Sequence, residues 1–211
     1  MGKIFGLESP FMRFMDTLTN LIILNLVVIV LCIPIFTAGA AFSALHHVVY
    51  LMVHGEEGYI LKDFGKAFMQ NFKQSTLCWL IVLFMVFVLG GDYVAMYQAD
   101  PGHYSLLFQV VIWIISVLAS IGIIYIFPVT ARYEDSIKNT FKSAYALGFY
   151  GIFRTLAMIV ITALPWVLTA LFQYFGIFAA LIGFSLPAYI CVYLYRPVFR
   201  HFEKKKEGGA Q

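Results

Sequence analysis

Polar and apolar positions divide this chain into long runs without charge, separated by short patches that hold nearly all the charge. Between Lys73 and Arg132 the only charged residues are Asp92 and Asp100, and between Arg154 and Arg196 there are none. A water-soluble domain with such stretches would expose large contiguous apolar patches, so the pattern makes lipid the solvent for most of the chain. A membrane-crossing helix needs about 20 mainly apolar residues. Five stretches qualify, 17–36, 75–97, 105–128, 154–173 and 176–195. The last two share one uncharged run and divide at Gln173-Tyr174-Phe175-Gly176, where a polar residue and a glycine permit a tight turn. The expected fold is all-α: a polytopic helical membrane protein with five transmembrane helices, six as the alternative, and amphipathic helices on the cytoplasmic side. Pro34, Pro128, Pro165 and Pro187 stand in or at the ends of these helices and predict kinks there.

The choice between five and six spans turns on residues 38–53. Ser43, His46, His47, Tyr50 and His54 recur at helical spacing along one face, while Phe42, Leu45, Val49, Met52 and Val53 point elsewhere. That pattern predicts a helix lying in the interface or packed under the bundle rather than one wrapped in lipid. With five spans, three groups of basic residues fall on one side. They are Lys62, Lys66 and Lys73; Arg132, Lys138, Lys142 and Arg154; and Arg196, Arg200 and Lys204 to Lys206. The excess of positive charge puts that side and the C-terminus in the cytoplasm. Six spans would add Lys3 and Arg13 to the same side. The first span is longer than the ~7–15 residue core of a secretory leader and is expected to be retained.

A weak internal echo organises the middle of the chain. The first span ends Ile33-Pro34-Ile35-Phe36-Thr37-Ala38 and the third ends Phe127-Pro128-Val129-Thr130-Ala131. Each is followed by an aromatic ladder with four-residue spacing and a basic residue: Phe64, Phe68, Phe72 and Lys73, then Tyr145, Phe149, Phe153 and Arg154. Residues four apart share a helix face, so each ladder is one stripe leading into a span. These residues, with Lys62 and Lys66, are the candidate contacts to lipid headgroups or a partner. Residues 1–211 thus read as one integral membrane domain, with a pseudo-repeat (17–98 and 105–173), a final span (176–195) and a basic cytoplasmic tail (196–211).

Composition changes the picture little: 62% hydrophobic residues, 12% charged and a mean hydropathy of +0.86 fit a chain that is mostly within lipid. Cys32, Cys78 and Cys191 lie in apolar runs with no CxxC spacing, which points to neither a disulfide framework nor a zinc site. His47 and His54 are two turns, about 10 Å, apart, and the adjacent His46 and His47 diverge by about 100°, so they do not converge on one ion. There is no GxSxG, P-loop or HExxH pattern, and no ionisable residue in the middle of any span. The chain is therefore expected to be non-enzymatic and without cofactor or metal, and its basic tail to meet anionic lipid rather than nucleic acid. Asn25 and Gln109, polar residues within spans, are expected to bond between helices.

One stretch carries a resemblance. Asn25, Pro34-x-x-Thr37-x-Gly39-Ala40, Ala44-Leu45, Gly55-Glu56-Glu57 and Asp63-Phe64…Phe68…Asn71-Phe72-Lys73-Gln74 are similar to the YesL-like family of bacterial membrane proteins, a domain of unknown function. Asn25, Pro34, Thr37 and Gly39, with Pro128 and Thr130 from the echo, form the candidate structural motif. The resemblance implies a small polytopic protein of the bacterial plasma membrane. It also implies an association with carbohydrate importers of the ATP-binding-cassette type, whose subunits become the expected partners.

Overall fold

A computed structural model describes residues 10–56, 58–98, 104–133, 135–172 and 174–208. Every regular element among them is helical: α1 (Pro10–Cys32), α2 (Ala38–His54), α3 (Ile60–Gln98), α4 (Leu106–Arg132), α5 (Ile137–Tyr150), α6 (Ile152–Leu171), α7 (Phe175–Ile182) and α8 (Ser185–Gly208), with a short 3-10 turn at Ile35–Thr37. Pro34 cannot continue the backbone ladder and disfavours helix in the residue before it, so α1 stops short of it. The Thr37 hydroxyl then reaches back to the carbonyls of Leu31 and Pro34, satisfying acceptors that the broken helix leaves open. At its other end α2 closes on Gly55, whose φ of 67° is left-handed. The Gly55 amide donates to Met52 O at 3.2 Å and the Glu56 amide to Leu51 O at 3.1 Å, the paired bonds of a Schellman cap.

α2 is the centre of the molecule. It packs on α1, α3, α4 and α8, and Ala40, Ala41, Ala44, Leu45, Val48 and Val49 are all buried. Its small N-terminal residues permit close approach to α3: a β-carbon at Gly39 would lie against the Trp79 side chain and 2.6 Å from the Ser75 carbonyl. Gly39→Ala should therefore cost about 1–3 kcal/mol through forced displacement of α3, measured as unfolding in detergent. A loss no larger than that from alanine at Gly65, which faces open space, would contradict this packing.

The polar face of α2 is used between helices. The Thr130 hydroxyl of α4 donates to Ser43 Oγ at 3.2 Å, and His47 Nδ1 donates to the Ala131 carbonyl at 3.2 Å. Five helical stretches are long and apolar enough to cross a membrane: Phe11–Cys32, Ile35–His54, Ile60–Gln98, Leu106–Arg132 and Ile152–Leu171. α7 and α8, bent by 61°, make a sixth if they count as one span. Four of the five correspond to expected spans. The expected final span, 176–195, is instead broken at Gly183–Phe184, and α2 joins the set that is long enough to cross. Its polar stripe faces neighbouring helices, which agrees with the expected helix packed in the bundle rather than wrapped in lipid; a face that bonds to helices has the same periodicity as one that meets water.

The α2–α3 and α4–α5 connections emerge at the same end of the bundle. Arg132, the last residue of α4, lies over the rings of Tyr50 near the end of α2 (4.9 Å) and Phe199 of α8 (5.6 Å). Gln74 Nε2 donates to Thr140 Oγ1 of α5 at 2.8 Å, tying both hairpins together. Away from this end, the second half of α3 and the first half of α4 pack mainly on each other. There Tyr93 meets Ser116 Oγ at 3.0 Å and the Trp113 ring edge-on. At 39 residues α3 is about 58 Å long, well beyond a hydrocarbon core of about 30 Å, so it projects past any membrane it crosses.

Candidate functional site: the broken helix and its cavities

The break between α7 and α8 exposes backbone groups that a continuous helix would pair internally. Asn25 of α1, fully buried, supplies them. Its Nδ2 donates to Ala180 O at 2.8 Å, and its Oδ1 accepts from Phe184 N at 2.8 Å and Ser185 N at 3.1 Å. One carboxamide thus serves the last turn of one helix and the first amides of the next. The interhelical role expected of Asn25 is realised on backbone rather than on another side chain.

Beneath the break lies a cavity of about 240 Å³. Phe42 and Trp79 form one wall, Phe127 another, and Trp166 and Phe184 the side nearest the break. Phe42 meets Phe127 and Phe184 at ring distances of 5.3 Å, and Trp166 meets Phe184 at 4.9 Å, so the wall is a continuous aromatic cluster. Besides the indole N–H groups of Trp79 and Trp166, the lining side chains with polar atoms are His46, Thr162 and Cys191. Thr162 Oγ1 and Cys191 Sγ approach each other at 3.9 Å. His46 Nδ1 is buried and lacks a hydrogen-bond partner among the described residues.

A second cavity, also about 240 Å³, lies towards the end where the hairpins emerge. His46 lines both, and the second adds His47, Tyr50, Arg132 and Tyr195. The His46 and Tyr195 rings are 6.1 Å apart. His46 therefore stands between an aromatic-walled cavity and a second one whose lining includes His47, Tyr50 and Arg132. Two of the three histidines flagged in the sequence meet at one cavity, and among the described residues no group of three His, Cys, Asp or Glu side chains could hold a metal ion.

The other flagged residues are dispersed. In the first ladder Phe64 is 2% exposed and Phe68 and Phe72 are half-buried, stacked along α3. In the second ladder Tyr145 fits against Gly122 of α4, whereas Phe149 and Phe153 are exposed, Phe153 to 86%. Lys62, Lys66, Lys73 and Arg154 are exposed. Pro34 ends a helix, but Pro128 is buried inside α4 and lines the second cavity, so the two prolines of the echo do different work. Gln109 donates to Tyr104 O at 3.3 Å within its own helix end and reaches neither cavity. Sequence reading missed the cavities themselves; Phe42, Trp79, Phe127 and Trp166 look like ordinary core positions until four helices are placed around them.

This architecture defines a multi-pass helical membrane protein. Over residues 21–93, from within α1 through most of α3, the chain is similar to a family described as "Protein of unknown function, DUF624". No curated protein and no solved structure matches it.

Proposed function

We propose that this chain is a non-enzymatic protein of the bacterial plasma membrane that acts as an accessory or regulatory partner of an ATP-binding-cassette carbohydrate importer. The YesL-like resemblance supports this reading, and the family match over residues 21–93 falls on the region where that resemblance is most specific. The observation that carries it is the basic end of the bundle, where exposed Lys62, Lys66, Lys138 and Lys142 surround the two hairpin connections beside Arg200 of α8. The positive-inside rule puts this end, and the C-terminus with it, in the cytoplasm, where it can meet an importer's cytoplasmic surface or anionic lipid.

Affinity capture in mild detergent, from cultures grown on a range of sugars, should recover importer subunits. Recovery of none under any sugar would sink the proposal. The Lys62→Glu, Lys66→Glu double variant should unfold as the natural protein does, because reversing exposed charges shifts stability by well under about 1 kcal/mol. It should nonetheless recover several-fold less importer, and capture at the natural level would show that docking lies elsewhere.

The paired cavities favour a second reading, a lipid-handling protein in its own right. Both are lined by residues of several helices, and the one walled by aromatic side chains lies beside the α7–α8 break. Native mass spectrometry of protein released from cell membranes tests this reading, which requires a retained lipid species.

A further inference from the structure

We propose that the aromatic-walled cavity is a site for a small neutral ring compound with one hydroxyl, a phenol, which pairs its hydroxyl with the imidazole of His46. The inference goes beyond both readings above, since it requires neither an importer nor a retained lipid.

Size and lining set what the cavity accepts. At about 240 Å³ it exceeds the ~150 Å³ of an apolar cavity that takes up benzene, so it has room for a substituted ring. Its walls are Phe42 of α2, Trp79 of α3, Phe127 of α4, Trp166 of α6 and Phe184 at the break. Phe42 meets Phe184 and Trp79 edge-on, at ring distances of 5.3 Å and 6.2 Å, so the cluster offers both edges and faces to a planar guest. No Asp, Glu, Lys or Arg is among the described residues that line it. A charged ligand would enter without a counter-ion, and a sugar would bury most of its hydroxyls unpaired. Thr162 and Trp166 are exposed, so the rim reaches the surface of the bundle on its α6 side, where a neutral ring compound can arrive through lipid.

The hydroxyl is assigned by what His46 lacks. The other two histidines of α2 bond to backbone carbonyls, His47 to Ala131 at 3.2 Å and His54 to Tyr50 at 2.8 Å. Around the cavity, the Trp79 N–H donates to Ile35 O at 2.7 Å, and Thr162 Oγ1 lies 3.9 Å from Cys191 Sγ. His46 Nδ1 is buried without a partner among the described residues, in a helix long and apolar enough to cross a membrane, where lipid offers no donor. A hydroxyl both donates and accepts, so it suits a neutral imidazole whichever nitrogen carries the proton. An unanswered imidazole at the edge of an aromatic cavity thus matches a ring with one hydroxyl.

Tryptophan fluorescence reads the site directly. Of the three tryptophans, Trp79 and Trp166 line the cavity, and Trp113 lies exposed on α4. The Trp113→Phe protein, in nanodiscs of phosphatidylcholine at neutral pH, is titrated with 4-bromophenol, bromobenzene, 4-bromobenzoate and 8-bromooctanol, whose bromine quenches nearby indoles. Quenching by 4-bromophenol should saturate. Bromobenzene, which lacks the hydroxyl, should bind about fivefold more weakly, and 4-bromobenzoate should show no saturable part. His46→Phe keeps a ring in place but removes the nitrogens, so 4-bromophenol should fall to the level of bromobenzene. Thr162→Leu, which narrows the exposed rim without touching the core, should abolish saturation by both. Quenching that rises linearly and alike for all four probes would mean partition into the bilayer and would overturn the proposal. A preference for 4-bromophenol that survives His46→Phe, or saturation indifferent to Thr162→Leu, would overturn it as well. Tighter binding of 8-bromooctanol than of 4-bromophenol would do the same, because the cavity would then select a chain rather than a ring.

Discussion

Asn25→Ala should be among the most destabilising single changes in this protein, lowering unfolding free energy in detergent by about 3 kcal/mol. The variant strands two amides, Phe184 N and Ser185 N, and one carbonyl, Ala180 O, at the break between α7 and α8. Each buried unpaired group costs about 1–3 kcal/mol. An ordinary interhelical side-chain bond in a membrane averages about 0.6 kcal/mol, so a loss of that size would mean that the break reorganises without Asn25. Gln109→Ala provides the comparison. Gln109 is half-buried with one bond to a nearby carbonyl, and its removal should cost less than about 0.5 kcal/mol. Equal losses in the two variants would refute the clamp role of Asn25.

The second large effect is expected at the start of α3. Phe64→Ala removes a ring that is 2% exposed and belongs to the core cluster around α2 and α8, and should cost about 3–5 kcal/mol. The same change at the last position of the other ladder, Phe153→Ala, takes away a ring that is 86% exposed and should leave stability within about 0.5 kcal/mol of the natural value. Chemical or thermal unfolding of the two variants side by side checks both numbers. Similar effects at the two positions would mean that the ladders are placed alike.

This contrast shows what periodicity contains. The four-residue spacing of Phe64, Phe68 and Phe72 and of Tyr145, Phe149 and Phe153 identified helical stripes leading into spans, and the helices are there. The spacing did not say which way each stripe turns. Along α3 the helix runs unbroken from ladder into span, whereas Gly151 separates α5 from α6. Charge depletion located α1, the second half of α3, α4 and α6 because a lipid-facing surface excludes charge whatever its neighbours. The α2 helix was harder, since its polar face serves Thr130 and Ala131 rather than water. Asn25 drew notice as a polar residue in a span. Its partners are backbone groups about 155–160 positions away, and backbone carries no letter in the sequence. The cavities were illegible for a related reason: they are spaces among α2, α3, α4, α6 and α8, created by how those helices lean and not by any one residue.

The enclosure of α2 bears on how the chain is made. It leaves the ribosome early, yet the residues that answer its polar face and cover its flank, Thr130, Ala131 and Tyr195, are synthesised roughly 80–150 positions later. The Asn25 carboxamide of α1 waits longer still for Phe184 and Ser185. A nascent chain that has released α1 to α3 therefore presents early helices in which His47, Ser43 and the Asn25 carboxamide lack the partners they have in the finished protein. Lipid cannot supply those bonds, so the early helices hold their polar groups near the water-rich boundary or beside insertion machinery until the late ones arrive. α8 thus completes the surroundings of α1 and α2. A truncated or stalled product lacking it carries in its first third the unpaired polar surface by which membrane quality control can recognise an unfinished protein.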